Sequence, residues 1–117
     1  MQVTDLRVFI PSKDFALSKA FYQQWGFEVG FESDELCELI HSECSFFLQN
    51  FYHAGLAENL MMQLVVGDIE QVANQLGSMD LANFAARTAS ITELPHGKVL
   101  HLWGPAGELW HITEFHS

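Results

Sequence analysis

The chain has 117 residues, of which 49% are hydrophobic and 17% charged, enough apolar material for one domain with a real core and too much for a disordered chain. Fifteen acidic residues against five basic ones give a formal charge of −10, and that field repels phosphate backbones and anionic membranes, which argues against nucleic acid and membrane partners. No apolar run reaches the roughly 18 residues of a membrane span, and Met1-Gln-Val-Thr-Asp-Leu6 lacks the basic and apolar regions of a secretion signal. A cytoplasmic protein is expected.

Leu6 to Pro11 reads as a strand because it is β-branched and aromatic, and Pro11 ends it by removing a donor. Asp14 then opens a helix as its cap, with Leu17, Ala20, Phe21 and Trp25 at helical spacing and Gly26 as the stop. Three strand-like runs follow at 27–33, 36–41 and 45–51, separated by polar turns. Tyr52 to Asn59 has no periodicity and reads as a connector. The order then begins again, with a strand at 60–66, a cap at Asp68, and a helical stripe of Ile69, Val72, Ala73 and Leu76 stopped by Gly77. A second short helix is predicted over 80–86, and strands over 90–94, 98–103 and 109–115.

The chain is thus βαβββ twice over, one α+β domain of 117 residues with a first module at about 1–53 and a second at about 60–117. Matching the two helix-opening aspartates sets the register of the repeat, pairing Arg7 with Met61 and Phe9 with Gln63. Cys37 and Cys44 read as free thiols, since they lack the spacing of a zinc ribbon or a redox pair.

Two segments resemble the vicinal oxygen chelate superfamily, which includes glyoxalase I, the extradiol dioxygenases, and the fosfomycin and bleomycin resistance proteins. They are Ile10-Pro-Ser-Lys-Asp14 running on to Ala20-Phe-Tyr22 and Trp25-Gly-Phe27, and Leu94 to Phe115 with its Gly104-Pro-Ala-Gly107 turn. The resemblance implies curved mixed sheets forming a cleft, with the helices outside. It also implies four strand positions that hold a divalent metal in the glyoxalase-like members. Carried onto this chain, those positions are Arg7, Met61, His111 and one of Leu48, Gln49 or Asn50. A guanidinium has no lone pair to give and a thioether is too soft for an oxygen-and-imidazole site, so no metal or other cofactor is expected. A histidine at the place of His111 also occurs in the bleomycin resistance branch, to which the chain is most similar.

The expected function is metal-independent binding of a small organic molecule, with Arg7, Gln49, Gln63 and His111 in the cleft and sequestration of a toxic compound as one outcome. The alternative is a divalent-metal-dependent lyase, isomerase or dioxygenase of the same superfamily. The resemblance further implies a homodimer. Arg7 is either the anchor for an anionic ligand or a surface arginine paired with Asp5 or a glutamate. His111 is either a ligand contact or a structural histidine on a half-buried strand. No spaced ligand pair is formed by His41, His53, His96, His101 or His116.

Overall fold

The computed structural model describes residues 1–117, all of the chain. The first module is β1 (Phe9–Pro11), α1 (Phe15–Trp25), β2 (Glu28–Glu32), β3 (Leu36–His41) and β4 (Cys44–Gln49). A short α2 (Ala54–Ala57) links it to β5 (Met61–Val65), α3 (Ile69–Gly77), a 3-10 turn (Leu81–Phe84), β6 (Arg87–Thr88), β7 (Thr92–Leu94), β8 (Gly97–Trp103) and β9 (Leu109–Phe115). Each half makes its own mixed sheet. Their strand orders are β1-β4-β3-β2 and β5-β9-β8-β6, with β7 also on β8, and the first strand of each half runs parallel to the last. This is the α+β duplication that the sequence predicts.

The helices start where the aspartates place them. Asp14 accepts the amide of Leu17 at 3.1 Å and Asp68 that of Gln71 at 3.3 Å. Glu114 of β9 accepts a further α3 amide, that of Ile69, at 2.9 Å, which ties the helix to its own sheet.

One core serves both modules. Phe21, Tyr22 and Trp25 of α1, Phe46 and Leu48 of β4, Leu100 and Leu102 of β8, and Trp110 and Ile112 of β9 belong to a single buried cluster. Trp110 sits 5.9 Å from Tyr22 and 5.4 Å from Phe46, ring centre to ring centre and edge to face. The two sheets therefore share the faces that α1 and α3 cover. Their other faces are left open, with Phe9, Phe31, Met61 and Val65 exposed.

Several strand ends move by a residue or two, and four segments depart from expectation in kind or by more. The first strand begins at Phe9 rather than Leu6, because Asp5 takes the amide of Leu6 and the Nε of Arg7, a local arrangement that competes with a ladder. The helix expected over 80–86 is only the 3-10 turn, since Asp80 makes no capping bond and Ala85 turns left-handed at φ 55°. The strand expected over 90–94 begins at Thr92, and the two-residue β6 precedes it unannounced. Between them the register on β8 shifts by one residue, which is a bulge. The connector holds α2, capped by the His53 ring through the amide of Leu56. Both cysteines are free, Cys37 buried and Cys44 exposed. No helix is long and apolar enough to cross a membrane.

Candidate functional site

The site is built by the β8–β9 hairpin and the turn that closes it. In Gly104-Pro-Ala-Gly107 the Gly104 amide donates to the Glu108 carbonyl at 2.8 Å, and the Gly107 amide to the Gly104 carbonyl at 3.0 Å. Gly107 has φ +96°, a conformation that a side chain would strain. Glu108 follows, fully buried, and accepts from the Tyr22 hydroxyl at 2.6 Å and the Ala106 amide at 2.9 Å. Trp110 Nε1 donates to the same hydroxyl at 2.9 Å. The turn is thus clamped to α1. Burial pushes the Glu108 carboxyl up against the opposing pull of its hydrogen bonds, and it pushes the Tyr22 hydroxyl well above its ordinary value.

With the turn fixed, the hairpin register is fixed, and it sets His101 directly opposite His111. Their rings touch: His101 Nε2 lies 3.1 Å from His111 Nδ1, and His111 Nε2 lies 3.5 Å from the Met61 sulfur. This corrects the expectation that no spaced pair of histidines forms. Desolvation lowers the His101 pKa, and the neighbouring charge of His111 lowers it further. Across this contact one ring donates an N–H and the other accepts it.

The pleat puts Gln63 beside His111 on the same open face, where its amide donates to the Thr113 hydroxyl at 3.4 Å. A hollow of about 500 Å³ lies over this face, with Met61, Leu94 and Val99 as apolar wall and Gln63, His101 and His111 as its polar points. His96, read from the sequence as part of a turn, reaches its rim.

The four side chains expected in one cleft do not share a hollow. Gln63 and His111 do. Arg7 and Gln49 belong to the other module, and no residue of β1 to β4 lines this hollow. Arg7 is bound by Asp5 at 2.9 Å and Glu38 at 3.3 Å and lies over the Phe47 ring, so its charge is already taken. Gln49 pairs with Pro11 of β1, and its carbonyl accepts the Ser12 hydroxyl at 2.6 Å.

The repeat also corrects the fourth strand position. The shift that carries Asp14 onto Asp68 carries Phe9 onto Gln63. Phe9 pairs with Phe47 and Gln63 with His111, so the counterpart of His111 is Phe47, and Gln49 corresponds to Thr113. The contacts repeat as well, Arg7 lying against Phe47 as Met61 lies against His111. The four positions thus hold a guanidinium, a phenyl ring, a thioether and one imidazole. That set does not fit a divalent ion that prefers oxygen and imidazole, and no three His, Cys, Asp or Glu side chains converge elsewhere.

A wider groove of about 890 Å³ runs between the β3–β4 turn and α3, floored by Trp25 and Phe27. Two of its polar lining groups are already engaged, since Asp68 caps α3 and Gln75 donates to the Trp25 carbonyl at 2.7 Å, and the others, His41, Glu43 and Gln71 among them, are not set as a touching pair of rings. The smaller hollow, whose imidazoles still offer nitrogen to solvent, is the better candidate.

No family model matches the sequence, and no curated protein matches it. Solved structures do match in shape. The bleomycin-binding protein of Streptomyces verticillus, complexed with copper(II)-bleomycin, superposes with a TM-score of 0.79 at 20% identity over 98% of this chain and 100% of that one. A bleomycin resistance determinant encoded on transposon Tn5 gives 0.77 at 22% identity over 97% and 100%. The fosfomycin resistance protein FosX of Listeria monocytogenes, complexed with Mn(II) and sulfate, gives 0.77 at 8% identity over 99% and 93%. The chain has the vicinal oxygen chelate fold, and at these identities the likeness is one of architecture.

Proposed function

We propose that this protein binds a small organic molecule in the hollow on the β5–β9 sheet, without a metal held by the protein, and so sequesters it. The observation that carries the reading is the His101–His111 pair, half-buried among apolar walls with Gln63 alongside. A few convergent polar groups in an apolar hollow are what a small-molecule site requires. The donor set at the four strand positions supports metal independence, and the bleomycin-binding proteins of the same fold support ligand binding as a use of this architecture. A toxic compound is the class that sequestration would serve.

Pairing of two chains belongs to the same proposal. Each chain leaves apolar side chains exposed on the open faces of both sheets, Phe9 49%, Met61 63% and Val65 57% among them, and a second copy would cover these.

The test is a thermal-shift screen of small organic compounds on protein purified without chelator, repeated after treatment with EDTA. Hits that survive chelation, with less than stoichiometric metal by elemental analysis, are expected. Stoichiometric metal whose removal abolishes the hits would overturn metal independence and leave a metal-dependent lyase, isomerase or dioxygenase as the reading.

A further inference from the structure

This inference rests on the hollow being a ligand site and names what it takes. Of the five basic residues, Arg7 and Lys19 are bound to carboxylates. Arg87 is not: it makes no ion pair and no side-chain hydrogen bond, and its guanidinium lies 3.7 Å from the centre of the Trp103 ring. Register places it on the open face of the second sheet. Arg87 stands opposite Trp103, Trp103 follows His101 on the same face of β8 with their rings 5.9 Å apart, and His101 touches His111.

That face has a composition unlike the rest of the molecule. Reading the strands by register, its positions carry one arginine, two histidines, Trp103, Gln63, and aliphatic, threonine and aromatic neighbours, and not one Asp or Glu. The acidic residues of these strands, Glu93 and Glu114, occupy the alternate positions, where Glu93 pairs with His116 and Glu114 caps α3. In a chain with fifteen acidic residues, a sheet face with no carboxylate at its strand positions and an unpaired guanidinium is a place where an anion meets attraction. The guanidinium already sits over an indole, 3.7 Å from the ring centre, so part of the freedom of its stem is spent before a ligand arrives. Beside it, the imidazole pair offers one further N–H donor.

We infer that the hollow, continued along the same sheet face past His101 to Trp103 and Arg87, which lie just outside its lining, accepts a small aromatic anion, a carboxylate or an equivalent planar oxyanion. Its charged group meets Arg87 with a donor from the His101–His111 pair, and its ring lies against Trp103 and the Met61 wall. The preference for charge is local to this face, because the long-range field of the protein opposes it.

The experiment compares 2-naphthoate with its neutral isostere 2-naphthamide by titration calorimetry on the full chain, wild type and Arg87→Met. The methionine keeps an unbranched stem over Trp103 and removes the charge. Wild type is expected to bind the carboxylate about tenfold or more tighter than the amide, and the variant to lose that difference through a fall in its affinity for the carboxylate. Equal affinity of wild type for the two probes overturns the anion assignment and leaves small-molecule binding standing. So does a carboxylate preference that survives Arg87→Met, since the charge partner would then lie elsewhere. Binding of neither probe at millimolar concentration overturns both. The first comparison needs no mutation, so a folding defect in the variant cannot shelter the proposal.

Discussion

The residue that organises the site never touches it. Glu108 is buried at the end of the turn, bonded to Tyr22 and Ala106, and through Tyr22 it is linked to Trp110, one residue before His111. Its raised carboxyl pKa sets the sign of a pH effect. The folded state keeps the proton at pH values where the unfolded chain has lost it, so this contribution to stability is whole below about pH 4.5 and is lost as pH rises through the folded value. His101 works the other way. Its pKa is depressed below 6.5, so the unfolded chain takes up a proton first and stability falls as pH drops below that value. Glu108→Gln separates the two: urea denaturation of the variant should lack the loss of stability above pH 4.5 and keep the loss on the acid side. Parallel pH profiles for wild type and variant would mean that Glu108 is not the group responsible. Nothing in the sequence marked Glu108 or Arg87, while Trp103 stood only among several aromatics able to line a pocket. His101 could have been found, because centring the hairpin on Ala106 sets it opposite His111.

At the scale of elements, legibility followed the turns. The strand at Leu36–His41 and the one at Leu109–Phe115 were read to the residue, because each is bounded by polar or glycine-rich turns. The β6–β7 bulge and the late start of β1 were not legible, since both depend on what a partner strand or a nearby aspartate offers and not on local propensity. The close approach of β8 to β9 is of the same kind. A Cβ at Gly97 would collide with the backbone carbonyl of Glu114, which has no room to yield because it lies in the hairpin ladder. Gly97→Ala is therefore expected to destabilise the protein by about 1–3 kcal/mol, the cost of forced overpacking. An unchanged midpoint in chemical denaturation would show that the hairpin relaxes there at no cost. The variant should also weaken ligand binding, because displacing β8 moves His101 from His111.

At the scale of the whole molecule, the repeat was the readable fact, and the pairing of Asp14 with Asp68 did align the two modules correctly. Strand parity divided each strand into two faces but could not say which face the core would take. Burial of Trp110, Phe46 and Leu102 in one shared cluster settles that, and it leaves the Arg7 and His111 faces in separate parts of the chain. This is why a cleft of four polar groups, plausible as a set of strand positions, divides into a neutralised Arg7 on one sheet and an available histidine pair on the other. The metal question is likewise one of the whole molecule, because the four equivalent positions are visible only when both modules are aligned, and together they offer a single imidazole.

The central claim, that the hollow over His101 and His111 is the ligand site, is tested most directly by following the six histidine side chains by NMR while a compound that stabilises the protein is titrated in. The account predicts saturable shifts of the His101 and His111 resonances, with His41, His53 and His116 unmoved. Saturable shifts confined to His41, beside the wider groove, with His101 and His111 still, would contradict it.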